Sequence, residues 1–155
     1  MLTNPNPCFS STGGEWATPW DFFNQQSAKY GPFDLDVCAT DDNAKCWDFI
    51  SPEQDSLKQP WHGLCWMNPP YGRDLGKWLI KAWRETSMPG HARRVVCLLP
   101  ARTDTRWWHD YVQKYAAKIE FVRGRLKFEG AQNSAPFPSA IVVFENSNIA
   151  DGARS

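Results

Sequence analysis

Four consecutive residues, Asn68-Pro69-Pro70-Tyr71, combine groups with a definite chemical capability. The Asn68 side-chain oxygen accepts a hydrogen bond, and the Pro69 carbonyl is a second acceptor. Neither proline carries an N–H that would repel an incoming donor. Two fixed acceptors close together suit an NH₂ group, and Tyr71 offers a flat face for the ring bearing it. The exocyclic amine of an aromatic ring is a poor nucleophile, because its lone pair is drawn into the ring. Gripping both hydrogens pulls the nitrogen toward tetrahedral geometry and aims the lone pair at an electrophile. That stabilisation is expressed mainly in the transition state, and it requires neither a metal nor a strong base.

Such a tetrapeptide needs a rigid support. Leu64, Cys65, Trp66 and Met67 form an apolar run that proline cannot continue, so a strand is expected to stop here and display Asn68 at its carboxyl end. Asn-Pro also initiates ordinary turns; its place directly after an apolar strand favours the chemical reading. Around it the chain predicts alternating elements. Thr18 and Pro19 predict the cap and first position of a helix that Gly31 stops. A strand is expected over 33–39, and a short apolar piece followed by a polar loop over 46–57. Leu75, Trp78, Leu79, Ala82 and Trp83 share one helical face within 74–87. Residues 93–100 read as a buried strand, 103–115 as a helix capped by Thr103 or Asp104, 118–130 as a strand with a tight turn at Gly124, and 138–145 as a final strand. Strands alternating with helices predict an open α/β sheet covered on both faces, mostly parallel, with an antiparallel carboxyl-terminal hairpin. Ligands bind such sheets outside the carboxyl ends of the strands. Asp36, Asn68 and the run Arg102-Thr103-Asp104 stand at three of those ends.

Composition narrows the class. With 155 residues, 42% of them hydrophobic, the chain suits one domain with a sizeable core. Residues 1–14 are expected to be a flexible segment, 15–146 the folded domain and 147–155 a disordered tail. No apolar run is long enough to span a membrane, and the first residues lack the basic and apolar regions of a secretory signal, so a cytoplasmic protein is expected. Five cysteines form no C-x-x-C pair, which predicts reduced thiols and no zinc site. His62 and His109 have no spacing that suggests a metal or a triad. Net charge is zero, yet residues 1–90 hold 7 basic and 11 acidic residues, and 91–155 hold 10 and 6. A net −4 beside a net +4 suits a cationic ligand on one side and a polyanion on the other.

EWATPWDFF (15–23), FDLDVCAT (33–40), NAKC (43–46), CWMNPPYGR (65–73), LLPARTDTRWWHD (98–110), RGRLKF (123–128) and APFPSAIVVF (135–144) occur in order. Together they resemble the phage-type DNA N-6-adenine methyltransferases, over about residues 15–145. The resemblance implies a class I methyltransferase (Rossmann-like) fold that uses S-adenosylmethionine to methylate adenine in DNA. It implies catalytic roles for Asn68, Pro69, Pro70 and Tyr71. It implies cofactor contacts from Trp16, Thr18, Pro19, Asp36, Ala39, Asp55 and Asn68. Asp36 matches the acidic position near the methionine part of the cofactor, and Asp55 the acidic position near its adenine. One departure stands out: VCATDDNAKC has no glycine, whereas most such enzymes carry a Gly-rich loop after the first strand. The span from Asp36 to Asp55 is also short for the usual helices and strands, so the ribose contact falls to Asp41, Asp42 or Asn43.

DNA contacts are expected from Arg102, Arg106, Arg123, Arg125, Lys127 and Phe128. Arg102, Asp104 and Arg106 suit a phosphate or a flipped nucleotide, and equally a capped helix start with a local ion pair. Arg123, Arg125 and Lys127 alternate, which on a strand makes a cationic row for phosphates; a solvated strand face is the plain alternative. Phe128 suits either stacking on an extruded base or the core. Trp107 and Trp108 are adjacent and point to different sides of a helix, so at least one belongs to the core. Two other functions share the motif: methylation of RNA or of a protein glutamine amide, and a catalytically silent DNA-binding module. The basic 118–130 segment and the aromatic surplus favour nucleic acid, and the intact tetrapeptide favours catalysis. The resemblance also implies a role in protecting phage or prophage DNA from host restriction. Oligomeric state and recognition sequence are not legible.

Overall fold

A computed structural model describes residues 16–146. The expected flexible amino-terminal segment and the tail lie outside these described residues. Helix α1 (Trp20–Tyr30) comes first and ends at Gly31, whose N–H donates to the Ser27 carbonyl. Strand β1 (Leu35–Asp36) pairs in parallel with β2 (Gly63–Met67). After β2 come helix α2 (Leu75–Ser87) and strand β3 (Ala92–Pro100), which is parallel to β2. A π-helical stretch, Trp108–Val112, runs into a last helical turn, α3 (Gln113–Tyr115). Strands β4 (Lys118–Phe121) and β5 (Ser139–Glu145) complete a five-stranded sheet of order β1-β2-β3-β5-β4. Because β5 is antiparallel to both of its neighbours, it alone runs against the other four.

The unbroken apolar strands follow from cover on both faces. Cys65 and Met67 of β2 and Val95, Cys97 and Leu99 of β3 point into one core, beneath Leu75, Trp78, Leu79 and Ala82 of α2. Trp66, Val96 and Leu98 point the other way, toward Phe22, Phe23 and Tyr30 of α1 and toward Phe128 and Phe137. The strand period of two thus splits one sheet between two cores. Trp108 and Val112 are buried on the α2 face, as one of the adjacent tryptophans must be.

Several expectations change. The first strand is two residues long instead of seven, because the Asp36 carboxylate turns the chain by accepting N–H bonds from Cys38 and Lys45. Phe49 then forms an isolated parallel bridge with Asp36, which closes that edge of the sheet. The strand expected over 118–130 stops at Phe121, and residues 122–138 are irregular, with Gly124 at a φ of 75°. The helix expected from 103 starts at residue 106, where Thr105, in place of Thr103 or Asp104, accepts the Trp108 N–H. Cys46, Cys65 and Cys97 are free thiols, whereas Cys38 is disulfide-bonded, contrary to the expectation of fully reduced cysteines.

Candidate active site

The carboxyl end of β2 delivers Asn68 into a cleft whose other walls include Trp16, Thr18, Asp36, Lys45 and Pro70. The Asn68 amide is oriented from its nitrogen side. Nδ2 donates to the Trp16 carbonyl at 2.7 Å and to Thr18 Oγ1 at 3.0 Å. A carbonyl cannot donate, so nitrogen must face Trp16 and oxygen must face away. That oxygen, Oδ1, is buried and has no partner among the described residues. A buried acceptor left open costs roughly 1–3 kcal/mol, so it stands ready for an incoming donor. Thr18 explains why the first helix lacks the expected cap: its hydroxyl serves Asn68, and Pro19 occupies the N-cap position.

Tyr71 turns inward. Its hydroxyl donates to the Leu98 carbonyl at 3.1 Å, and burial pushes its pKa far above the ordinary value. It therefore acts through its ring and not as a base. Trp16 lies nearly parallel to that ring, with 6.4 Å between centroids and 18° between planes. Phe128 and Phe137 stand edge-on to both. Phe128 is only 1% exposed, so it is a wall of this aromatic box and not a surface residue.

Asp36 is 2% exposed and makes no ion pair among the described residues. Its oxygens accept the N–H groups of Lys45 at 3.0 Å and Cys38 at 3.2 Å. Burial pushes its pKa up to about 7, against the opposing pull of those two N–H donors and the Lys45 charge. Sequence reasoning missed Lys45 and Phe137, although NAKC and APFPSAIVVF contain them. The Lys45 side chain is 3% exposed; its Nζ lies 3.4 Å from a Glu129 carboxylate oxygen and 4.3 Å from the centre of the Trp20 ring.

The remaining expected site residues divide by place. Asn43 lines the cleft, with Oδ1 accepting the Thr40 N–H at 2.7 Å. Asp41 and Asp42 line a neighbouring hollow with Ser51, Glu53 and Gln54. Ala39 is buried beside the cleft, its N–H donating to the Ile50 carbonyl. Asp55 does not line the cleft; it sits at a φ of 54° between two 3₁₀ turns and pairs with Lys58. Arg102 is exposed, with its guanidinium 5.4 Å from the centre of Phe137. Arg106 is exposed on the first turn of the following helix. Pro19, Arg123, Arg125 and Lys127 line a separate groove beside α1. Among the described residues, no cluster of three His, Cys, Asp or Glu side chains forms a metal site, and no helix is long and apolar enough to cross a membrane.

The family model described as "DNA N-6-adenine-methyltransferase (Dam)" matches residues 8–148. The DNA N-6-adenine-methyltransferase of Haemophilus phage HP1 (strain HP1c1) is 34% identical over 139 residues, covering 84% of this chain and 78% of the relative. The protein of the same name from Escherichia phage T1 is 30% identical over 142 residues, covering 88% of this chain and 57% of that longer relative. This chain belongs to the DNA N-6-adenine-methyltransferase (Dam) family.

Proposed function

We propose that the protein transfers a methyl group from S-adenosylmethionine to the exocyclic N6 amine of an adenine flipped out of DNA. The observation that carries this reading is the buried, unpartnered Asn68 Oδ1 at the end of a parallel strand. The amine of a flipped adenine donates one hydrogen to Oδ1 and the other to the Pro69 carbonyl, while the Tyr71 ring carries the base. Gripping both hydrogens directs the nitrogen lone pair toward the electrophile. Bound S-adenosylmethionine would give up its methyl group to that nitrogen and leave as S-adenosylhomocysteine, and the amine proton would pass to solvent.

The cleft fits the cofactor by charge. Asp36 is a buried carboxylate without an ion-pair partner among the described residues and suits the cofactor's ammonium, whereas Lys45 suits its carboxylate. S-adenosylmethionine supplies a methyl group on a positively charged sulfur. Strand order, with β5 alone reversed, supports a class I methyltransferase sheet reduced at its β1 edge. In this reading Arg102 and Arg106 hold phosphates flanking the flipped nucleotide. The role is protection of phage or prophage DNA from host restriction, which the phage sources of the relatives support.

The test is transfer of labelled methyl to unmethylated duplex DNA, followed by nucleoside analysis. The expected product is N6-methyladenine, and Asn68→Ala loses about 10²–10³-fold in kcat while still binding cofactor. Cofactor binding with no label in adenine would sink the proposal.

A further inference from the structure

Beyond the catalytic cleft, α1 and the irregular segment after β4 enclose a groove. One wall carries Gln25 and Gln26; the other carries Phe121, Arg123, Arg125 and Lys127. Along the chain, the lining of this separate groove adjoins the residues of the site at two points. Pro19 lines it and follows Thr18, which holds Asn68; Lys127 lines it and precedes Phe128 of the aromatic box.

Its chemistry is that of a strand of nucleic acid. None of Arg123, Arg125 and Lys127 is in an ion pair among the described residues, so their charges are available to phosphates. Phe121 is 66% exposed, but its ring lies nearly parallel to Trp108 on the α2 face, with 6.3 Å between centroids, so on this side the groove offers a strand its cations and its glutamines. The two acids nearby leave this cationic character in place: Glu120 is held ionised by Lys29, Tyr30 and Lys118, while Asp21 stands at the first turn of α1. A second, independent observation concerns Gln26. Its amide oxygen is shut off from solvent and has no hydrogen-bond partner among the described residues. An acceptor without a donor, in a groove flanked by cations that form no ion pair among the described residues, calls for a donor carried by the ligand.

We propose that this groove holds the DNA strand next to the target adenine, and that Gln26, with Gln25 beside it, reads an amine-bearing base there, adenine or cytosine. A glutamine amide pairs with such a base edge, whereas the arginines and lysine register the backbone without regard to sequence. The inference rests on DNA being the substrate. It places sequence selection on α1, within a chain that has no separate recognition domain among its described residues.

Two measurements test it. Methylated adenines are mapped on unmethylated genomic DNA for the wild type, Gln26→Leu and Gln25→Leu. Equilibrium binding to oligonucleotides differing at the flanking bases is titrated against salt for the wild type and the Arg123→Ala/Lys127→Ala double variant. The wild type is expected to prefer an amine-bearing base at one flanking position, and Gln26→Leu to level that preference by about tenfold. The double variant is expected to bind every sequence more weakly and to lower the slope of log K against log salt by about 2. Gln25→Leu, on the exposed side of the helix, keeps the test valid should Gln26→Leu fold poorly. An unchanged flanking profile in the glutamine variants, with an unchanged salt slope in the double variant, overturns the proposal and leaves methyl transfer standing. Groove variants that alter DNA binding in a protein that methylates no adenine support the groove and overturn the methyl-transfer reading instead.

Discussion

Asn68 is useful only if its amide cannot rotate, and Thr18 supplies one of the two acceptors that stop it. Thr18→Val keeps the shape and removes the oxygen. A neutral hydrogen bond contributes about 0.5–1.5 kcal/mol, so kcat should fall roughly two- to tenfold. Thr18→Ser should restore it. A valine variant as fast as wild type would show that the Trp16 carbonyl alone fixes the amide. Asp36 makes a different prediction, because the proposed cofactor site links its proton to binding. The carboxyl ionises near 3.8 when unfolded and at about 7 when folded. Between those values the folded state holds the extra proton, so this group's contribution to stability falls as pH rises from about 4 to about 7. A cationic ammonium beside it favours the ionised form, so binding expels the proton. Cofactor affinity should therefore rise by up to tenfold per pH unit below about 7 and level off above it. Calorimetry between about pH 5.5 and pH 8.5 reads this directly, and Asp36→Asn should flatten the profile.

Elements set how these residues meet, and the shortest element bears much of that burden. Strand β1 has two residues, and its alignment with β2 also depends on Asp34, whose carboxylate accepts the Leu64 N–H at 2.8 Å. Gly63 makes room for that carboxylate: it has a φ of 69°, and a Cβ there would lie 2.3 Å from Asp34 Oδ2. Gly63→Ala should cost about 2–3 kcal/mol from left-handed strain and the broken hydrogen bond, lowering the melting temperature by about 5–10 °C. Gly90 has a φ of 83° but open space around it, so Gly90→Ala should melt at a higher temperature than Gly63→Ala. Equal losses would remove the Asp34 contact from the account.

The same contrast explains what the sequence reveals. Helix α2 is legible because Leu75, Trp78, Leu79 and Ala82 recur at helical spacing and are all buried. Strands β3 and β5 are legible because both of their faces are apolar. Features set by distant partners are not. Thr18 looks like a cap and serves Asn68, fifty residues away. Alternation of Arg123, Arg125 and Lys127 suggests a strand, yet the chain leaves the sheet at Phe121, and the three cations still gather in one groove. Lys45 gives no local signal, because its side-chain contacts with Glu129 and Trp20 form only on folding.

Across the whole molecule, the cleft is assembled from segments far apart in sequence. Trp16 and Thr18 precede the first helix, Asp36 and Lys45 bracket the turn after β1, Asn68 ends β2, and Glu129 reaches Lys45 from the irregular segment before β5. The Glu129 N–H also donates to the Ala17 carbonyl, which ties that segment to the amino-terminal side of the cleft. A ligand spanning these parts adds contacts that the unfolded chain cannot make, so binding should raise global stability and not merely order a loop. At a concentration one hundred times its dissociation constant, the stabilisation is about 2.7 kcal/mol. For a domain of this size that corresponds to a rise in melting temperature of about 5–10 °C. S-adenosylhomocysteine should act similarly, because it keeps the ammonium and carboxylate that the proposal assigns to Asp36 and Lys45. Lys45→Met should reduce the rise for both ligands, through loss of the carboxylate partner. A thermal shift below about 1 °C with either ligand at millimolar concentration would remove Asp36 and Lys45 from the cofactor site, and the cleft would then need another occupant.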